Sequence, residues 1–167
     1  EDILGSNSPI LRAMPNTPAA IGQGITALIG NAVSTADQID LAHALLSAIG
    51  EVVDLDSENQ MDAVTGVSGS GPAYVFYMID AMAKAGEAQG LSPDLAMQLA
   101  KATVAGAGAL AKASGETPEQ LRINVTSPNG TTQAGLEVLM DQNAGLNPLI
   151  GGTVAAATMR SKELSNG

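Results

Sequence analysis

Between Val125 and Leu136 the chain reads VTSPNGTTQAGL, which crowds four hydroxyl residues, Thr126, Ser127, Thr131 and Thr132, around Pro128, Asn129 and Gly130. Pro128 fixes φ, and Asn129 and Gly130 tolerate positive φ, so the backbone can turn sharply there. A helix-compatible run with Leu136, Leu139 and Met140 follows at once. A turn that opens directly into a helix leaves backbone N–H groups unpaired at the positive end of the helix dipole, which suits an anionic group such as a carboxylate. The same spacing also describes an ordinary capped helix start. The turn alone does not choose between them.

Other chemistry-bearing residues are sparse. His43 is the single histidine and there is no Cys. A metal centre, a thiolate nucleophile and a Ser–His–Asp triad therefore lack their parts, and His43 is expected at a surface or a helix cap. Asp54, Asp56, Glu58 and Asp62 are spaced unlike any calcium loop and read as a solvated face. VSGSGP at Val67–Pro72 lacks the preceding strand, the GxGxxG spacing and the lysine of a phosphate loop, so it reads as a helix-to-helix break that permits tight packing. What remains is chemistry that needs hydroxyls and backbone amides.

The elements that must position the turn are built from small residues. Apolar residues make up 45% of the 167-residue chain but aromatics only 2%, so the core must come from Ala, Leu, Ile, Val and Met. Small side chains let helix axes approach closely, yet each buries little area, so sharing apolar faces with a partner subunit is expected. Lys and Arg number 7 against 17 Asp and Glu, a formal charge of −10 with no basic cluster. Nucleic acid and anionic membrane surfaces are poor partners for such a chain, and an anionic ligand would need backbone amides. Absence of Cys is compatible with a reducing cytoplasm, where the protein is expected. The long uncharged stretches are interrupted by Gly, Pro, Asn or Ser, so no membrane span is expected. Glu1 opens no signal-peptide pattern, and the missing initiator Met points to a natural start elsewhere.

Ile10–Met14 and Ile25–Ile29 are short apolar runs bounded by Pro and Gly, the punctuation of strands. Two such strands are too little sheet to stand alone and look like the exit edge of a larger one. From Ser34 onward the period is helical. Ser34 is expected to cap a helix with Asp37 at its third position, Gly50 to stop it, and EVVDL to follow as a brief stretch compatible with an extended chain. Met61–Val67 is expected to be a short helix. Further helices should start at Pro72, at Ser92-Pro93, at Thr117-Pro118, after the VTSPNGTT turn and after Asn147-Pro148. Gly86, Gly106 and Gly108 lie inside the long central helices, where each costs about 1 kcal/mol relative to Ala, so close approach to another helix or a second copy should offset them.

Three segments taken together resemble the pyrroline-5-carboxylate reductases: MPNTPA at Met14–Ala19, DAVTGVSGSGPAYVF at Asp62–Phe76 and NVTSPNGTTQAGL at Asn124–Leu136, with RSKEL at Arg160–Leu164 similar to that family's closing helix. The resemblance covers nearly the whole chain. It implies a mainly α fold, a helical dimerisation domain of the 6-phosphogluconate dehydrogenase-like type preceded by a short strand remnant of a Rossmann-type domain. Residues 1–33 would be the end of that incomplete dinucleotide-binding domain and residues 34–167 the helical dimerisation and substrate-binding domain. The implied reaction reduces the cyclic imine 1-pyrroline-5-carboxylate to L-proline with NADPH or NADH, in a homodimer that could assemble further. Carried over by motif, Ser127 and the amides around Gly130 and Thr131 would hold the substrate carboxylate, and Thr132 would direct its hydroxyl at the ring nitrogen as the catalytic group. Asn16 and Pro18 would line the nicotinamide pocket, and Asn124 would approach the cofactor. The family commonly has Gly where this chain has Asn129, the non-glycine residue best able to take positive φ. With no strand–GxGxxG–helix unit in the sequence, the cofactor would be held mainly by a domain absent here, and the isolated 167 residues are expected to be inactive.

Two other readings compete. Another helical-domain dehydrogenase acting on a hydroxy acid or imine would place a catalytic lysine on a helix, for which Lys84 and Lys101 are the interior candidates. A non-catalytic oligomerisation module would need no site at all.

Overall fold

The apolar run ITALI, bracketed by Gly24 and Gly30, forms the central strand of a three-stranded sheet. In the computed structural model, which describes residues 3–165, β1 (Leu11–Met14) pairs antiparallel with β2 (Gly24–Gly30), and β3 (Gly50–Asp54) pairs parallel on its other side. Flanked on both edges, β2 buries Thr26, Ala27 and Leu28. The EVVDL stretch is thus a full sheet member, lying beyond residue 33 in sequence. Gly50 sits opposite Gly24 in the register and has φ 146, and a Cβ there would fall onto the Gly24 backbone. No other residue type fits that position without displacing the strand pair.

Between the parallel strands runs α1 (Ala36–Leu46) with a 3-10 extension at Ser47–Ile49. Its cap lies one residue later than expected. The Ser34 hydroxyl is drawn to Ile10 O and Asn31 Oδ1, so Thr35 takes the N-cap and Gln38 Oε1 accepts its N–H at 3.0 Å. The helix α2 (Met61–Val64) then leads into a π turn at Thr65–Gly69, closed by Ser70 N–H on Thr65 O at 2.8 Å. There Gly66 is buried, and a Cβ on it would strike Thr158 and the Val154 carbonyl of the last helix, α7 (Leu146–Ser165). Within VSGSGP itself a Cβ on Gly69 would meet Met14 Cε at 2.8 Å and one on Gly71 would meet nothing within 4 Å, so the tight packing expected there falls on Gly69 alone.

The chain divides into two compact units: one takes the chain up to Ala73 with the stretch from Thr153 onward, the other is Tyr74–Gly152. In the second, α3 (Gly71–Ala88) stops at Gly90, whose φ of 97 lets Leu91 N–H return to Gly86 O. Next come α4 (Pro93–Ala113), α5 (Pro118–Asn124) and α6 (Thr131–Leu139). The hydroxyl-Pro starts behave as expected: Ser92 Oγ accepts Leu95 N–H and Thr117 Oγ1 accepts Gln120 N–H. The final helix starts at Leu146, two residues ahead of Pro148, which its first turn tolerates.

The helical unit buries little. Its core is Ala83, Ala96 and Ala100, with Ile79 and Met97 packed against it. Gly86 lies in that crossing, a Cβ there meeting Ala96 Cβ at 3.3 Å, whereas Gly106 and Gly108 face open space. Phe76, Tyr77, Leu99, Leu110 and Val138 are exposed. No helix among the described residues is long and apolar enough to cross a membrane.

Candidate substrate site

The VTSPNGTT turn begins where α5 ends. Thr126 Oγ1 donates to Arg122 O at 2.6 Å and its N–H to Ile123 O at 3.0 Å, so Thr126 closes the helix C-terminus and its hydroxyl is engaged. Gly130 N–H then donates to Ser127 O at 3.1 Å, with Pro128 at the second and Asn129 at the third turn position. Asn129 has φ 58, as a type II turn requires at that place. It is the one non-glycine residue with positive φ among the described residues, so the departure from glycine is accommodated. Gly130 has an ordinary φ of −88 but no room for a Cβ, which would meet the Ser127 hydroxyl and carbonyl.

The first helical bond of α6 runs from Ala134 N–H to Gly130 O, and Gly130 as N-cap offers no side chain. The N–H groups of Thr131, Thr132 and Gln133 therefore lack the intrahelical partners of later turns, and no acceptor for them is found among the described residues. The hydroxyls of Ser127, Thr131 and Thr132 are exposed and likewise make no hydrogen bond there. Unspent hydroxyls and amides thus gather on one turn, with no basic side chain among them. Arg122, the nearest in sequence, is turned to Met140 Sδ at 3.3 Å and Glu119 at 3.7 Å. Gly130 N–H is spent on Ser127 O, and the missing Cβ makes room for the Ser127 side chain.

Asn124, the last residue of α5, has its amide engaged: Nδ2 donates to Glu116 at 2.9 Å and Oδ1 accepts from Gln120 at 2.8 Å. Asn16 and Pro18 lie in the sheet-bearing unit. Asn16 Oδ1 accepts Ile25 N–H at 3.0 Å, while its Nδ2 donates to Ser68 O at 3.2 Å, tying MPNTPA to the start of β2 and to the π turn. Pro18 belongs to a 3-10 turn, Thr17–Ile21, and its carbonyl accepts Gln23 N–H. The sequence pattern did not single out Gln133. Its Oε1 accepts Asn129 N–H at 2.8 Å, and its place at the third position of α6, where a capping-box glutamine sits, was the available signal.

Several of the remaining titratable groups are paired structurally. His43 Nε2 lies 2.8 Å from Asp54 Oδ1, Asp62 accepts from Ser161 at 2.6 Å, and Glu58 pairs with Arg12. That last pair lines a cavity of about 420 Å³ beside Ile10 and Asn31. Lys84 is hydrogen-bonded to Asp80 at 2.7 Å, and that carboxylate holds its ammonium above the ordinary 10.5, the wrong direction for a general base. Lys101 is exposed and without such a partner among the described residues. No group of three or more His, Asp or Glu able to hold a metal ion occurs among the described residues.

The helical unit is poor in aromatics and leaves apolar side chains such as Phe76, Tyr77 and Val138 exposed. The chain belongs to the pyrroline-5-carboxylate reductase dimerisation family, whose pattern matches residues 58–164. It is 50% identical over 155 residues to the pyrroline-5-carboxylate reductase of Synechocystis sp., and 47% identical over 162 residues to that of Pseudomonas aeruginosa. These alignments cover 93% and 97% of this chain but 57% and 59% of those proteins. Among solved structures, the pyrroline-5-carboxylate reductase of Coxiella burnetii superposes with a TM-score of 0.93 at 41% identity, over 98% of this chain and 60% of that one. The Plasmodium falciparum pyrroline carboxylate reductase, solved with NADP bound, gives 0.86 at 31% identity, over 98% and 61%. The chain thus spans somewhat less than two thirds of its relatives' length.

Proposed function

We propose that this chain is the substrate-binding and dimerising part of an enzyme that reduces 1-pyrroline-5-carboxylate to L-proline, in the cytoplasm, as a homodimer or an assembly of dimers. The observation that carries this is the turn at Ser127–Thr132, whose hydroxyls and leading amides are unspent inside a segment matching the reductase family. In this reading Ser127 and the Thr131 amide hold the carboxylate, Gly130 leaves room for the Ser127 hydroxyl beside the turn, and the Thr132 hydroxyl accepts a hydrogen bond from the iminium N–H. That proton stays on nitrogen and becomes the amine hydrogen of proline, so no acid–base side chain is needed. Fixing the ring in one orientation is the chain's contribution to rate.

The residues described do not by themselves hold a dinucleotide. No strand–GxGxxG–helix unit is among them, and the amides of Asn16 and Asn124 are already engaged. NADPH or NADH, which supplies the hydride to the imine carbon, is in this proposal gripped by a preceding domain. Residues 1–33 are that domain's closing edge and residues 34–167 the helical domain, with Asn16, Pro18 and Asn124 shaping the cofactor's surroundings.

The test is the oxidation of NADPH or NADH by the complete protein in the presence of pyrroline-5-carboxylate. Turnover is expected there and none with the 167 residues alone. Complete protein that leaves the cofactor unoxidised overturns the proposal, and turnover by the 167 residues overturns the domain assignment.

A further inference from the structure

The sequence holds two Asn–Gly pairs, Asn129–Gly130 in the turn before α6 and Asn166–Gly167, which lies outside the described residues. Asparagine is a labile side chain, and a glycine after it leaves the next peptide nitrogen unshielded by a Cβ. Asn129 is exposed, and its side-chain amide makes no hydrogen bond among the described residues. The other asparagines lack one condition or the other. Asn16, Asn31 and Asn124 have both ends of their amides engaged. Asn147 precedes Pro148, which has no N–H to give up, and Asn7, Asn59 and Asn143 precede residues that carry a Cβ.

We propose that Asn129–Gly130 is a site of spontaneous deamidation. The Gly130 nitrogen gives its proton to hydroxide and attacks Asn129 Cγ. The N–Cγ bond forms and the Cγ–Nδ2 bond breaks, and Nδ2 leaves as ammonia after taking a proton from water. A second water then opens the five-membered imide. Breaking the N–Cγ bond leaves aspartate, whereas breaking the bond from nitrogen to the main-chain carbonyl carbon leaves isoaspartate, with the chain routed through Cβ and Cγ. Overall one water enters, one ammonia leaves, and nothing is oxidised or reduced. This reaction needs no substrate and does not depend on the reductase reading.

Two hydrogen bonds set its pace. Gly130 N–H donates to Ser127 O at 3.1 Å and Asn129 N–H to Gln133 Oε1 at 2.8 Å, so the nitrogen is freed only when the turn opens. Exposed turns with few buried contacts open locally at low cost. The aspartate product suits the same turn, because Asp tolerates the left-handed conformation and its charge is favourable near a helix N-terminus. Modified protein therefore stays folded and accumulates.

The experiment follows the folded complete protein through prolonged incubation at neutral and at mildly alkaline pH, by peptide mass mapping and by labelling with an isoaspartyl methyltransferase. The peptide spanning position 129 should gain both aspartate and isoaspartate, faster at the higher pH, while peptides with Asn59 or Asn143 stay unmodified. Gln133→Met removes one of the two restraints and should quicken the reaction about fivefold, the worth of one exposed hydrogen bond in the opening equilibrium. Asn129→Gly, which also takes positive φ, should abolish the label in that peptide and leave any at Asn166–Gly167. A folded wild type with no product at position 129 overturns the proposal, whatever the unfolded chain does. Aspartate formed there without isoaspartate overturns it too, since that is direct hydrolysis. A Gln133→Met rate equal to wild type overturns the part assigned to the turn's hydrogen bonds.

Discussion

Polar groups around the sheet and at the turn before α6 are treated in opposite ways, while large apolar residues stay exposed in both units, Ile21, Leu41 and Leu45 as well as Leu99 and Leu110. Around the sheet, Asn16 uses both ends of its amide on backbone partners, Ser34 and Asn31 bond one another, and Gly66 packs against Thr158. In the helical unit, Ser127, Thr131 and Thr132 leave their hydroxyls free, and Phe76, Tyr77 and Val138 leave apolar surface uncovered. Groups consumed by the fold cannot also serve a ligand or a partner. The contrast separates residues that hold the molecule together from those held ready for something outside it.

The sharpest way to break that contrast is in the sheet. Gly50→Val must force a β-branched residue to φ 146 against the Gly24 backbone. The cost should exceed about 4 kcal/mol and leave no soluble folded protein, as circular dichroism would show. Next comes a pair of matched deletions. Asn16→Ala removes two backbone-directed hydrogen bonds and should cost about 1–3 kcal/mol in chemical denaturation. Thr132→Val in the complete enzyme should spare Tm yet lower kcat/KM roughly tenfold to a hundredfold, because the loss is of a substrate contact. Thr126→Val should do the reverse, since its hydroxyl is already committed to Arg122 O. A Thr126→Val enzyme that collapses in rate while Thr132→Val stays normal would reverse the assignment.

Two glycines test whether the uncovered face is a subunit interface. Gly86→Leu overpacks a crossing inside the chain and should destabilise it by about 1–3 kcal/mol at every protein concentration. Gly106 has nothing within 4 Å of its Cβ direction, so Gly106→Leu should matter only where a second copy supplies the neighbour. Its effect should then appear as a weaker dimer in sedimentation and a more concentration-dependent Tm. An unchanged dimer with Gly106→Leu removes that residue from the interface. The smallest effect is at Asp141, whose carboxylate accepts the Asn143 and Ala144 N–H groups and is held below its ordinary 3.8 by those bonds. The stabilisation is present above pH 3.8 and lost as pH falls through the lowered value. The Tm gap between wild type and Asp141→Asn should therefore close on acidification past that point.

How far these features could be read beforehand depended on how local their causes are. The Pro93 and Pro118 helix starts and the positive φ at Asn129 follow from one or two residues, and they appear where the pattern put them. The cap at Thr35 was missed by one position because Ser34 is claimed by its neighbour Asn31 and by Ile10, which is distant in sequence. The π turn at Thr65–Gly69 had no local signature beyond its glycines, since its cause is the close approach of α7 to Gly66. At the candidate site, residue types pointed to hydroxyl and amide chemistry. Only hydrogen bonding divides the spent Thr126 from the unspent Thr132, and only side-chain placement brings in Gln133.

The packing of Gly66 against Thr158 also sets an order of events during synthesis. The sheet-bearing unit is discontinuous: its last helical stretch, from Thr153, follows the whole of Tyr74–Gly152 in the chain. A ribosome therefore delivers the sheet and the helical insert before the segment that seals Gly66 and pairs Ser161 with Asp62. Until that moment the sheet unit is unfinished, while the apolar helices α3 and α4 have already been made. A nascent chain stalled near residue 152 should thus show protease-sensitive strands, and addition of the stretch from Thr153 through Ser165 should be the step that protects them.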